Sequence, residues 1–248
     1  MDSGRKQCFD GRWKPPAAAL PAALLLLATT AMSAGASPSS TGPPDPLECQ
    51  IRSVLAEGRG DGLKATAWAV SLVTLDPHSS YALSRVASMY ENLGDDTAAL
   101  EWGERALAAD SMNPEAAMLV GRISCLAGEP GLAAAALTPP LRRLGATPEL
   151  YALRALAHEL DRDYGAALAD LKRTGPLLPD FEWIATGILG MALEDGRLGE
   201  AYSAFQLAME LRPDDARTLT LGVSLAQRLG NPVLERTLLR ALRASELR

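Results

Sequence analysis

Few side chains in this 248-residue chain could do covalent or metal chemistry, and their spacing does not suit it. The two histidines are His78 and His158. His158 opens the run His158-Glu159-Leu160-Asp161-Arg162-Asp163, which lacks the second histidine that a zinc-binding helix places one turn on. His78 follows Asp76-Pro77 and reads as a solvated loop residue. There is no Gly-rich phosphate loop after a strand, no Gly-x-Ser-x-Gly elbow and no Cys-x-x-Cys pair. Carboxylates are abundant, but on helix faces such runs are solvated surface. Nothing brings together a nucleophile, a base and a group to orient it. The sequence therefore predicts no catalytic residues, no metal and no cofactor, and any function must come from a surface.

The elements that would build such a surface are helices. Hydrophobic residues make up 48% of the chain and aromatics only 5%, with Ala and Leu dominant. That mixture favours closely packed helices over sheets, which draw on Val, Ile, Thr and aromatics. A net charge of −6 argues against a general nucleic-acid binder, which needs a basic face.

The first 36 residues read as an export signal rather than as part of the fold. Arg5, Lys6, Arg12 and Lys14 precede an apolar run from Ala17 to Met32, and Ala34-Gly35-Ala36 supplies the small residues a signal peptidase accepts. The run is short for a membrane span of about 20 residues and contains Pro21, so an uncleaved anchor is the lesser alternative. Ser37, not Cys, follows the expected cut, which disfavours a lipid anchor. Residues 37–46, dense in Pro and Ser, read as a disordered linker. Export places the mature protein in the periplasm or outside the cell. It also permits a disulfide, but Cys49 and Cys125 fall two repeats apart. Stacked helices lie roughly 10 Å apart, beyond the ~7 Å a bridge tolerates, so both read as small buried side chains.

From residue 47 to 245 the chain repeats itself. Gly60, Gly94, Gly128, Gly196 and Gly230 lie on one series with a step of 34, whose missing member is Arg162. Five residues after each stands Ala65, Ala99, Ala133, Ala167 or Ala201, with Glu235 in the last. Pro77, Ser111, Gly145, Pro179 and Pro213 form a third column. The glycine suits a left-handed turn after a first helix. The alanine lets a second helix approach closely, and the third column ends that helix. Between these points apolar residues step by three or four, as in Leu83, Val86, Met89, Tyr90 and Leu93. One pair cannot bury its apolar face alone, so units must stack. Pro139-Pro140 should stop one second helix near Leu137, with Leu141 onward taking a new direction.

Units such as Tyr81 to Asn113, with Val86-Ala87, Tyr90, Gly94-Asp95, Ala99 and Ala106-Leu107, closely resemble tetratricopeptide repeats. Gly196 to Ala201, Phe205, Ala208 and Pro213 carry the resemblance again, as do Arg154 to Tyr164, Ala167 and Pro179. It spans about residues 46–245, and the first and last units are degenerate. The resemblance implies an all-α, right-handed superhelical solenoid of about six antiparallel helix pairs, whose concave face binds peptides or protein segments.

By the family's register that face holds Tyr81, Ser84, Arg85, Ser88, Glu91 and Asn92 in the second unit. Met118, Leu119, Arg122 and Cys125 follow in the third, Leu153, Leu156 and Glu159 in the fourth, and Trp183 and Thr186 in the fifth. The family's carboxylate clamp uses Lys and Asn where this chain has Ser84, Ser88 and Leu119, so that activity is not expected. An apolar or helical protein segment fits better, with Arg85 or Arg122 pairing an acidic flank. Trp68 and Trp102 share a column on neighbouring second helices and read as packing.

Charge is uneven along the chain. Residues 37–215 hold 14 basic and 26 acidic side chains, while residues 216–248 hold six arginines and two glutamates. Arg236, Arg240 and Arg243 on the last helix read first as a polar cap, second as a docking patch for an acidic partner or lipid headgroups. The expectation is a non-catalytic scaffold for a protein or peptide partner, touching a membrane only through its N-terminal segment. An accessory subunit of an envelope enzyme or secretion complex, or a scaffold assembling through its basic C-terminal helix, are the alternatives.

Overall fold

Alternating caps and left-handed turns cut the chain into twelve helices among the described residues, with no strand. The computed structural model describes residues 45–142, 147–174 and 182–245. The expected leader, most of the linker, and the residues Gly145 and Pro179 lie outside these. Two units form. The first, ending at Pro77, contains α1 (Pro46–Gly58) and α2 (Gly62–Leu75). The second, from His78, contains α3 (Ser80–Asn92), α4 (Asp96–Ala109), α5 (Pro114–Leu126), α6 (Pro130–Leu137), α7 (Pro148–Leu160) and α8 (Tyr164–Thr174). It continues with α9 (Glu182–Glu194), α10 (Leu198–Leu211), α11 (Ala216–Arg228) and α12 (Pro232–Ser245).

Helix α1 starts inside the expected linker. Asp45 is its N-cap, accepting from the Glu48 N–H at 2.6 Å, and Pro46 takes the first turn, where a missing N–H costs nothing. Within this unit the Ser53 hydroxyl donates to the Ala65 carbonyl at 2.8 Å, and Arg52 lies 4.8 Å over the Trp68 ring. The expected match between Trp68 and Trp102 is one of type, each ring buried beneath an arginine of its own pair; Arg105 lies 4.0 Å over Trp102.

Each turn inside a pair has one construction. The series glycines all adopt positive φ, from 63° to 77°, and Arg162 adopts it too, at 59°. In the second unit's first turn the Gly94 N–H reaches the Glu91 carbonyl and the Asp95 N–H reaches Tyr90. Around Arg162 the same bonds run to Glu159 and His158. In several turns the next residue then caps the second helix: Asp95 accepts from Ala98, Asp163 from Ala166 and Asn231 from Leu234, whereas Glu129 and Arg197 give no side-chain cap. The missing glycine of the series is therefore missing only as a residue type, not as a conformation.

The alanine column lies at zero exposure in α4, α6, α8 and α10. In α12 its place is taken by Glu235, half-buried and accepting from the Gln227 amide. Glycines allow similar approach where a unit meets the next. A methyl on Gly222 of α11 would fall within 2.5 Å of the Phe205 ring of α10. First helices touch first helices along the second unit, and α8 touches α10, so the pairs stack in order. One buried group gathers Tyr164, Leu168, Ile184, Ile188, Leu189, Phe205, Leu219, Leu225 and Leu238.

Helix α6 stops at Leu137, and Pro140–Arg142 forms a short 3-10 turn, the break the two prolines require. A charge pair that the sequence reading did not single out holds this place. Arg154 of α7 makes two 2.7 Å bonds to the Asp170 carboxylate on α8, and its third donor reaches the Thr138 hydroxyl at 3.1 Å. Asp170 is 3% exposed. The Asp170 bonds hold the Arg154 guanidinium above its already high ordinary value.

Two stability outcomes follow. Removing one partner of a buried, bidentate pair strands the other, so Asp170→Ala should lose about 3 kcal/mol in urea unfolding; a loss near zero would show that the pair does not bind α6, α7 and α8. At position 162, Gly should beat Ala, because Ala keeps the left-handed strain and glycine has none. The Gly variant should melt about 2–4 °C above the Ala variant in a thermal scan.

Candidate functional site

The first helices α3, α5, α7, α9 and α11 form one row, and the predicted groove residues fall on it with unequal access. Tyr81, Arg85, Ser88, Met118, Leu153 and Leu156 are half-buried, Asn92 and Arg122 are exposed, and Trp183 is 50% exposed. Leu119 is different: at 2% exposure it belongs to the interhelical core, where a methyl on Gly103 of α4 would meet its Cδ2 at 3.0 Å. Ser84 is also buried, its hydroxyl bonded to the Tyr81 carbonyl and 3.4 Å from Glu115. Thr186 is buried and shares a 2.7 Å hydrogen bond with Thr218 of α11. These three are inter-helix contacts rather than ligand surface.

Arg122 was expected to meet an acidic flank of a partner. Instead both its Nε and a terminal nitrogen bind Glu91, at 2.6 to 2.9 Å, so its charge is balanced within the chain. The centre of the row is therefore apolar and aromatic, with paired charges at its start.

One carboxyl breaks that pattern. Glu159 of α7 is 6% exposed and its Oε2 has no hydrogen-bond partner. The carboxyl rests on the backbone of α9, where a methyl on Gly187 would overlap Oε1. Burial pushes its pKa up to about 7, against the opposing field of Arg217 on α11. The sequence reading placed Glu159 on this face but had no signal for its burial, which depends on a glycine 28 residues away.

The remaining reactive groups do structural work. His158 is partly exposed with its Nε2 4.0 Å from Asp170, beside the Arg154 pair. Burial pushes the free thiols Cys49 and Cys125 up, so both stay protonated and poorly nucleophilic. Tyr164 donates to Asp195 at 2.7 Å, and Arg162 pairs with the same carboxylate. These bonds hold Asp195 below its ordinary value, while burial, with the Asp195 bond second, pushes Tyr164 up to about 12. Arg197 closes this turn-to-turn cluster over the Tyr164 ring and onto the Arg162 carbonyl. On α12, Arg236, Arg240 and Arg243 are exposed while Leu238 faces the core. Among the described residues no group of His, Cys, Asp and Glu is placed to hold a metal ion, and no helix is long and apolar enough to cross a membrane.

Helix pairs of 34 residues, closed by a left-handed turn and stacked in order, are the tetratricopeptide-repeat fold, and this chain has it. Solved structures agree. YrrB, described as a TPR protein with an unusual peptide-binding site, superposes with a TM-score of 0.57 at 16% identity, over 71% of this chain and 91% of its own. MamA gives 0.53 at 19% identity, over 69% and 94%. PilW, a type IV pilus biogenesis factor, gives 0.50 at 21% identity, over 80% and 92%. No family model and no curated protein matches the sequence.

The Glu159 carboxyl carries a pH signature. Its folded pKa lies above its ordinary value, so between about pH 4.5 and 7 the folded state holds a proton the unfolded state has lost. Stability must fall as pH rises through that window, and the whole penalty, at most about 3 kcal/mol, is present above it. Glu159→Gln removes the slope. In thermal scans the variant should match wild type near pH 4.5 and melt higher at pH 8; a difference that does not change with pH would refute the burial.

Proposed function

We propose that this protein is a non-catalytic scaffold that holds a segment of a partner protein against its row of first helices, outside the cytoplasm. The observation that carries the reading is the state of that row. It keeps Trp183 half-exposed and Tyr81, Met118, Leu153 and Leu156 partly exposed, while Arg122 is neutralised by Glu91. Exposed aromatic and aliphatic side chains on a row of helices suit an extended or helical peptide, whose apolar side chains they desolvate. The peptide-binding site ascribed to YrrB, on the same fold, supports the choice of ligand class. Export rests on the basic, apolar and small-residue order of residues 1–36, and the pilus role of PilW is compatible with it. No residue in the row combines nucleophile and base, which supports a binding role over catalysis.

Trp183 is the variant of choice, because its exposure lets it be truncated without opening the core. Partners retained from an envelope extract by the wild-type chain would be compared with those retained by Trp183→Ala and by Arg240→Glu/Arg243→Glu. A principal partner lost from the Trp183 variant, at least tenfold by titration and with helicity intact, is the expected result. Retention by Trp183→Ala with loss from the arginine variant would move the function to α12.

A further inference from the structure

Two units of the repeat differ at one matched pair of positions. Glu91 on α3 pairs with Arg122 on α5 through three hydrogen bonds. Two periods further on, Glu159 on α7 stands in the place of Glu91, and Gly190 on α9 stands in the place of Arg122. The acid is kept and the cation is gone. Glu159 is accordingly buried with an unpartnered Oε2.

A side chain could begin at Gly190 without a clash. A methyl added to Gly190 would meet only Leu221 Cδ1, at 3.7 Å, an ordinary contact. Gly187, one turn earlier, has room for no side chain because the Glu159 carboxyl occupies it. Trp183, another turn back, lies on the same face of α9 and is 50% exposed. An indole face and a carboxylate together suit an ammonium or guanidinium group. Arg217 of α11 is the charged side chain whose field acts on Glu159; it favours the ionised carboxylate, yet Oε2 is left without a hydrogen-bond partner. Net charge adds to this: residues 37–215 carry −12, a field that attracts cationic segments.

We propose that the trough of Trp183, Gly187 and Gly190 receives a lysine or arginine side chain of the bound segment, which pairs with Glu159 as Arg122 pairs with Glu91. The inference rests on the groove reading given above and names the chemistry of its partner: a basic residue flanked by apolar ones. Glu159 reaches the incoming cation by rotating its side chain from the α9 backbone towards the trough.

The test is selection of a random dodecapeptide display library on the full chain, followed by titration of the selected peptides against three variants. Enrichment of Lys or Arg in the selected peptides is expected, with about tenfold weaker binding, or more, to Glu159→Gln. Gly190→Arg supplies the missing cation internally, so it should exclude basic peptides and melt higher than wild type, which a mere loss of fold would not do. Trp183→Ala reports on the groove itself. Peptides that need Trp183 but show no basic enrichment, or that bind Glu159→Gln and Gly190→Arg unchanged, would overturn the cation subsite and leave the groove standing. Peptides indifferent to Trp183, or no selected peptide, would overturn both.

Discussion

The constraint on which this structure depends is the closeness of the two helices in each pair. In five of the six second helices an alanine of the repeat lies at zero exposure, so the partner helix packs against little more than a methyl group. At that separation the connection must be short, and a short connection between antiparallel helices needs a left-handed residue. Positive φ follows at Gly60, Gly94, Gly128, Gly196 and Gly230. Arg162 shows the order of causation: the residue there is not glycine, yet the packing still imposes φ 59°. Its side chain then takes part in the cluster with Asp195, and its carbonyl accepts from Arg197. Local propensity yields to tertiary packing, and the polar contacts around the turn favour the same outcome.

The repeat was legible because it is written in columns. Small residues and turn residues recur at fixed spacing, and each has a local physical task that any one unit displays. The break after Leu137 was legible for the same local reason, since Pro139 and Pro140 cannot continue a helix. The candidate site was less legible, because burial and pairing on the first-helix row are settled between units. Leu119 and Leu153 share one register position, but one is core and the other is partly exposed. Arg122 reads as a free cation until Glu91 is found beside it, 31 residues back. Arg154 and Asp170 lie on different helices, and although Arg52 shares the column of Arg154, its counterpart of Asp170 is Trp68, so no second acid repeats in that column.

Period and exception therefore carry different information. What recurs every 34 residues builds the stack, and a departure has either been absorbed by it or left a mark. Arg162 and Glu235 were absorbed: one adopts the turn's conformation, and the other lies half-buried on the last helix with an amide donor. Glu159 was not absorbed. An acid that has lost its ladder partner could have been replaced by Gln or Leu at no cost to packing periodicity, and Gly187 could have been Ala with better helix propensity. Replacing Glu159 would remove a desolvated carboxyl that weakens the fold at neutral pH. A residue that lowers stability, accommodated by a second residue that lowers helix propensity, is a local conflict of the kind that marks a site at which the fold's own consistency gives way.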